Sequence, residues 1–219
     1  FYTVPLKVTT MPHPKERRFE KHVRDHVEGK SVLDLGCVDH SIDQRYKASW
    51  IHDMLVESAS EVLGIDILEN AVQELQDKGY DVQAGDAQHL QLERSFDVVF
   101  LGDLIEHLVN FEGLFESIEN HLNQDGKIII ITPNCNSLFF IGHRILGYDI
   151  NPEHTVWFDA HTLTELLERH GFEPTEIRYS RQTSFNLSPV DAAGYLVETL
   201  FPDSLAKGKL VIVAQRKTD

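Results

Sequence analysis

Cysteine and long apolar runs are scarce in this chain. It has two cysteines among 219 residues, Cys37 and Cys135, which excludes the disulfide framework of a small secreted domain. No apolar run approaches the roughly 20 residues that a membrane-spanning helix needs, and no signal peptide is visible. We therefore expect a cytoplasmic protein, without membrane insertion and with enough chain for a substantial core.

Basic side chains are also few. The chain has 20 Lys and Arg against 35 Asp and Glu, a formal net charge of −15. A nucleic-acid-binding face needs clustered Lys and Arg, and only short pairs occur, such as Lys15 with Arg18. A nucleic-acid partner is therefore disfavoured. The acidic excess indicates a solubilising surface, or alternatively a salt-rich habitat.

Several catalytic signatures are missing. No Gly-x-Ser-x-Gly elbow and no phosphate-loop lysine occur, and the 12 histidines show no zinc-ligand spacing. The Gly-x-Gly-x-x-Gly of dinucleotide-binding enzymes is absent too, since the first strand is followed by Gly36, Cys37, Val38 and Asp39. This absence disfavours a nicotinamide-dependent dehydrogenase.

The chain does contain a series of short apolar runs that carry or precede an aspartate. Such runs are typical of buried parallel strands, and we predict strands at 31–35, 62–66, 81–86 and 96–101. Ligands bind where the carboxyl ends of such strands meet, so the aspartates predict a polar ligand along that edge. Asp34, inside the first run, needs a hydrogen-bond partner because burying an acid is costly.

The ordered segments LDLGC, GID, GDA, FDVVFLGDLIEHL and DGKIIIITPN together resemble the class I S-adenosylmethionine-dependent methyltransferases. The residue pattern of these segments is similar to that of the small-molecule branch, which includes the O-methyltransferases of ubiquinone biosynthesis. The resemblance covers residues 15–180 and part of the last strand. It implies an α/β fold: a Rossmann-like, seven-stranded, mostly parallel sheet with helices on both faces, the last strand antiparallel and at one edge.

The resemblance also implies S-adenosylmethionine as cofactor and S-adenosylhomocysteine as product. Asp34, Gly36 and Cys37 would shape the methionine pocket. Asp66 would accept hydrogen bonds from both ribose hydroxyls, because a carboxylate offers two acceptor oxygens and no donor. The alternative for Asp66 is a helix N-cap. Ile67 would pack on the adenine ring.

Three further residues complete the predicted cofactor site. Asp86 and Ala87 correspond to the family pair at the adenine amino edge, although Asp86 is equally well explained as a turn residue. Gly102 would allow a close backbone approach.

Two histidines are the predicted catalytic residues. His107 is the candidate general base, because an imidazole titrates near neutrality; it could instead orient the substrate or cap its own helix. His154 is a second polar candidate facing the substrate. Asp103, Glu106 and His107 could together hold Mg²⁺, but this spacing is not specific, and a site without metal is favoured.

The whole chain, 1–219, is predicted to be one methyltransferase domain. An arm and helix occupy 1–29, the cofactor-binding half 30–134, and substrate-covering insertions 135–159 and 182–206. An apolar face at 189–200 is suited either to covering substrate or to pairing two subunits in a homodimer.

Four local predictions accompany these bounds. A helix spans Lys15–Val27, from which Arg17, Arg18 and His22 could reach a carboxylate at the ligand site, although a solvated helix face is favoured. A second helix lies within Ile42–Ala59, with His40 or Ser41 near its start. Trp50 belongs to the core. Residues 123–126 form a turn.

The predicted function is methyl transfer from S-adenosylmethionine to O or N of a small molecule, with a sugar, glycan precursor or secondary metabolite favoured. The incomplete Gly-rich turn keeps one alternative, a catalytically inactive cofactor-binding regulatory subunit.

Overall fold

The computed structural model describes residues 18–38, 50–147, 151–181, 197 and 199–218. Several predictions lie outside these residues. They are the roles of Arg17, His40 and Ser41, the first part of the helix predicted within 42–59, and most of the insertion 182–206.

Within the described residues, seven strands form one sheet. They are β1 (Ser31–Leu35), β2 (Glu61–Asp66), β3 (Val82–Ala84), β4 (Phe96–Gly102), β5 (Leu122–Pro133), β6 (Phe172–Ser180) and β7 (Lys209–Arg216). Their order is β3-β2-β1-β4-β5-β7-β6. β1 to β5 pair in parallel, whereas β7 runs antiparallel to both neighbours. The predicted fold class is confirmed.

The last strand is antiparallel as predicted, but its expected position at the edge of the sheet is wrong. β7 lies between β5 and β6, and β6 forms the edge. Six consecutive residues of β7 from Lys209 are buried, so this strand needs neighbours on both sides. β6 has a mixed pattern of exposed and half-buried residues, which suits an edge strand.

Helices cover both faces of the sheet. They are α1 (Arg18–Val27), α2 (Ile51–Ser58), α3 (Glu69–Asp77), α4 (Phe111–His121), α5 (Leu138–Ile145), α6 (Ala160–Arg169) and α7 (Asp203–Ala206). Leu114 of α4 and Leu163 of α6 belong to one core cluster with Leu33 of β1. Val23 of α1 and Leu55 of α2 pack with Val32, the next residue of the same strand. Because successive strand residues point to opposite faces, these are two separate cores.

The predicted turn at 123–126 lies inside strand β5 instead. Its pairing with β4 shifts here, since Phe96 faces Leu122 whereas Val98 faces Lys127. Asn123 holds the irregular segment against the sheet, because its Nδ2 donates to Asp97 Oδ1 at 2.9 Å. This bond across the sheet replaces the expected free turn.

Trp50 is buried, as predicted, with 7% of its surface exposed. Its indole Nε1 also donates to the Cys37 carbonyl at 2.9 Å, which ties the residue before α2 to the loop after β1. None of the helices in the described part of the chain is long and apolar enough to cross a bilayer.

Two glycine substitutions test this packing. A Cβ at Gly64 in β2 would lie 2.8 Å from Cys37 Sγ, His52 Cε1 and Val82 Cγ1, so Gly64→Ala should lower the free energy of unfolding by about 1–3 kcal/mol. Gly142 in α5 has no atom within 4 Å of such a Cβ. Gly142→Ala should therefore raise the free energy of unfolding by about 0.5–1 kcal/mol. Urea unfolding measures both, and a Gly64→Ala protein as stable as wild type would contradict the packing.

Candidate active site

A cavity of about 410 Å³ opens at the carboxyl ends of β1, β2 and β4. It brings together eight of the predicted site residues: Asp34, Gly36, Cys37, Asp66, Ile67, Gly102, Asp103 and His107. The other polar side chains that line it include His52 and Glu153. The edge of the sheet expected to bind a ligand is thus the edge that carries the cavity.

Asp34 is buried near the carboxyl end of β1, with 3% of its surface exposed. Its partner is His52 of α2, which is 1% exposed and whose Nδ1 lies 2.7 Å from Asp34 Oδ2. Because a carboxylate only accepts hydrogen bonds, Nδ1 carries the proton and donates it to this bond. His52 Nε2 makes no hydrogen bond to any described residue.

His52 is a site residue that the sequence analysis did not identify. The need of Asp34 for a partner was a usable signal, since a buried acid requires one. The segment between β1 and β2 contains several polar side chains that could serve. Only the position of α2 shows which of them reaches the strand.

Asp66 ends β2 and is 7% exposed. Its Oδ2 accepts from the Val38 amide at 2.9 Å and its Oδ1 from the Leu68 amide at 3.0 Å. Burial raises the pKa of Asp66, and these amide bonds partly offset that effect. The N-cap position of α3 is Leu68, so Asp66 does not occupy it. Each oxygen keeps a lone pair for a ligand hydroxyl.

Asp86 and Ala87 are not among the described residues that line the cavity. Asp86 Oδ1 accepts from the Gln88 amide at 2.9 Å, which is a turn interaction. Ala87 is buried in the core cluster that contains Leu33. Their predicted role at the adenine ring stays a prediction.

The segment after β4 turns sharply at Asp103, which has a φ of 52°. Lys209 at the start of β7 donates to Asp103 Oδ1 through its ammonium group. Lys209 is itself 6% exposed, whereas the Asp103 side chain is 38% exposed, so only the ammonium end of this ion pair is shielded from water. The predicted metal ligand Asp103 is therefore already bonded to a cation of the chain.

Glu106 lies in the 3₁₀ turn Ile105–His107 and is 1% exposed. Thr132 Oγ1 donates to its Oε2 at 2.9 Å, and its Oε1 has no hydrogen-bond partner among the described residues. Burial, reinforced by the charge of Asp103, raises the pKa of Glu106 to about 8. The side chain is therefore mainly a neutral acid at pH 7.

His107 lies at the end of this turn, on the wall of the cavity. The His154 ring packs against it edge-on, with the ring centroids 4.8 Å apart. The ring centroid of Trp157 lies 4.9 Å from that of His154, and the ring centroid of Phe140 in α5 lies 5.5 Å from that of Trp157. The two predicted catalytic histidines are thus in contact, and a row of rings connects them to α5.

The set that could hold a metal here differs from the predicted one. Ligand atoms of Glu106, His107 and His154 lie within 4.8 Å of one another, so His154 takes the place of Asp103. The neutral form of Glu106 is a poor ligand for a hard cation such as Mg²⁺, which prefers carboxylates. The preference for a site without metal stays a prediction.

His22 is not among the residues that line the cavity. It lies on α1 with its Nε2 3.4 Å from Glu176 Oε2, and its side chain is 15% exposed. His22 therefore neither reaches the candidate ligand site nor lies on a freely solvated helix face.

The pKa of Glu106 leads to a pH-dependence test. Because it is raised from 4.5 to about 8, the native state holds a proton that the unfolded state releases. The stabilisation that comes from this proton is complete at pH values below the pKa of Glu106 in the unfolded state. It is lost as pH rises towards the pKa of Glu106 in the folded state. Stability should therefore fall by about 1.4 kcal/mol per pH unit between about pH 5 and pH 8.

Glu106→Gln should remove this part of the pH dependence, since glutamine does not ionise. Exposed Glu116 of α4 gives a matched control, Glu116→Gln. Urea unfolding across the pH range measures the slope. A slope unchanged in Glu106→Gln would show that another group carries it.

Comparison with known proteins agrees with the geometry of the cavity. The sequence matches the family described as "Methyltransferase domain" over residues 10–177. A probable S-adenosylmethionine-dependent methyltransferase of Mycolicibacterium smegmatis is 32% identical over 148 residues, which are 66% of this chain and 52% of that protein. The (S)-coclaurine N-methyltransferase of Papaver somniferum is 27% identical over 125 residues, covering 57% of this chain and 33% of that enzyme.

Among solved structures, a SAM-dependent methyltransferase from Archaeoglobus fulgidus superposes with a TM-score of 0.62 at 21% identity, covering 91% of each chain. This likeness concerns the fold. The chain matches about half the length of the mycobacterial relative and a third of the plant one. Because the family match covers most of its length, the chain belongs to the S-adenosylmethionine-dependent methyltransferase family.

Proposed function

We propose that this protein transfers a methyl group from S-adenosylmethionine to O or N of a small molecule and releases S-adenosylhomocysteine. One observation carries the proposal. Buried carboxylates at the ends of β1 and β2 line the same cavity as His107, so a cofactor site and a proton acceptor adjoin each other. The family match supports the choice of cofactor.

The cofactor side of the cavity fits an adenosyl group. Asp66 would hold the ribose hydroxyls with the lone pairs left free by Val38 and Leu68. Ile67 is 70% exposed and offers apolar surface for adenine. Gly36 has a φ of 77° and brings the backbone close to the ligand without a side chain. Asp86 and Ala87 would approach the adenine edge.

The charge of the cavity suits a cationic methyl donor. Asp34, Asp66 and Glu153 line it, and a sulfonium ion is attracted to carboxylates. The bound cofactor supplies an electrophilic methyl group. The chain's contribution is to fix its position, since in-line displacement depends strongly on orientation.

His107 would act on the acceptor. As the acceptor O or N forms its bond to the methyl carbon, the carbon–sulfur bond breaks and its electron pair stays on sulfur. The acceptor proton passes to His107. His154, packed edge-on at 4.8 Å, would orient the His107 ring and meet the substrate. The alternative, that His107 only orients the acceptor, is distinguished by the pH–rate profile.

Two observations favour a small-molecule acceptor. Basic clusters for a nucleic acid are lacking in the sequence, and one relative is by name a methyltransferase acting on nitrogen of a small molecule, coclaurine. The exposed apolar residues Phe139, Ile145 and Leu146 of the α5 region would cover the acceptor. A sugar, glycan precursor or secondary metabolite remains our favoured class.

Asp66→Ala should weaken S-adenosylhomocysteine binding at least about 100-fold, because two charge-assisted hydrogen bonds are lost. Calorimetry measures the affinity. Asp66→Asn, which replaces an acceptor by a donor while keeping the shape, should weaken it as well. Exposed Asp77 of α3 provides the control, Asp77→Ala. Unchanged affinity in a folded Asp66→Ala protein would contradict the ribose assignment.

His107→Gln should slow labelled-methyl transfer by about 10²–10⁴-fold if His107 is the base, with little change in cofactor affinity. The acidic limb of the pH–rate profile, which reports protonation of the base, should be lost with it, whereas a purely orienting role would lower the rate at every pH alike. Exposed His89 gives the control, His89→Gln. Cofactor binding by the wild type without transfer to any of a broad acceptor panel would favour the regulatory-subunit alternative.

A further inference from the structure

A second group of ligand-type side chains lies outside the cavity. His22 and His26 of α1 face Glu176 of the edge strand β6, and none of the three lines the cavity. The ligand atoms of the three lie within 4.8 Å of one another. Residues four apart share one face of a helix, which is why both imidazoles reach the same carboxylate.

The distances in this group are close to those of a tetrahedral metal site. His22 Nε2 lies 3.4 Å from Glu176 Oε2, and His26 Nε2 lies 3.3 Å from Glu176 Oε1. In tetrahedral zinc, with ligands about 2.0–2.1 Å from the metal, neighbouring ligand atoms are about 3.3–3.4 Å apart. One ligand atom from each of the three residues lies within 4.8 Å of the others, so small rotations of the side chains would bring three ligand atoms around one ion.

The same group is shielded from bulk water. The side chains of His22 and His26 are 15% and 12% exposed, and that of Glu176 is 34% exposed. The imidazole rings of His22 and His26 contact each other edge-on, with centroids 4.7 Å apart. Partial burial restricts the rotamers of the three side chains, so little ordering is needed to bind an ion.

We propose that His22, His26 and Glu176 bind a divalent transition metal, zinc in preference to others, with water completing a tetrahedron. Two imidazoles and one carboxylate are borderline ligands that suit zinc rather than Mg²⁺ or Ca²⁺. The ion joins the N-terminal helix to the outermost strand, a structural role separate from methyl transfer.

The protonation states agree with this assignment. Burial lowers the pKa of both His22 and His26, with Arg178 contributing to each, so both rings are neutral near pH 7, the form that binds metal. Burial tends to raise the pKa of Glu176, but Arg178 and the two histidines lower it overall, so it is a carboxylate.

The surrounding charges set the competition. Asp25 favours a cation at both histidines, Arg178 opposes one at both, and Lys127 opposes one at His26. Arg178 donates to Glu176 Oε2 at 3.2 Å and would remain an outer partner of the ligating carboxylate. Oε1 of Glu176, which faces His26, is the oxygen left for the metal.

The test is titration of the full chain, stripped of metal by chelation, with zinc chloride in a calorimeter. Wild type should bind one equivalent at this group at micromolar or lower free zinc, and its Tm should rise. His22→Gln, His26→Gln and Glu176→Gln should each weaken that binding at least about tenfold and abolish the rise. Cobalt should show tetrahedral d–d bands in wild type that the three variants lose.

Control variants separate this site from the rest of the protein. His161→Gln, an exposed histidine on α6, should bind zinc as wild type does. S-adenosylhomocysteine affinity should be the same in His22→Gln and wild type, so failure here and failure of the proposed function are distinguishable. Absence of zinc binding by wild type, or zinc lost in His154→Gln but kept in His22→Gln, would overturn the assignment.

Discussion

The buried hydrogen bond between Asp34 and His52 supports the wall of the cavity that we propose binds the cofactor. A carboxylate inside a parallel strand would be strongly destabilising alone, and leaving such a group without its partner costs about 3–5 kcal/mol. His52 supplies that partner from α2 at 2.7 Å. Trp50, two residues earlier, donates to the Cys37 carbonyl. These two bonds hold α2 against the end of β1, and so build one wall of the cavity.

The sequence predicts the strands well because a buried parallel strand is a local pattern: a short apolar run bounded by polar or glycine residues. Predicted bounds for β2 and β4 differ from the observed ones by one residue each. The two errors both concern tertiary partners. The irregular start of β5 depends on the bond from Asn123 to Asp97, and the interior position of β7 depends on β6 pairing along its free edge. Neither relation leaves a mark in the local sequence.

The site divides in the same way. Residues placed by the backbone at strand ends, such as Asp66, Gly102 and His107, could be found by position. Their partners could not: His52 is 18 residues from Asp34, and Lys209 is 106 residues from Asp103. Asp103, a candidate metal ligand in the sequence, forms an ion pair with Lys209 in the folded chain. Contacts between distant segments thus decide which of the chemically suitable residues are available to a ligand.

Charge balance at the turn after β4 connects these partners to function. Two acids, Asp103 and Glu106, are held there near one ammonium, that of Lys209. Glu106 is 1% exposed, so its ionised form is costly. Asp103, whose side chain is 38% exposed, pairs with Lys209, and Glu106 stays protonated up to about pH 8. The turn that carries His107 is therefore close to neutral as a unit. The other carboxylates that line the cavity are Asp34, Asp66 and Glu153, so its negative charge resides mainly outside the turn that carries His107.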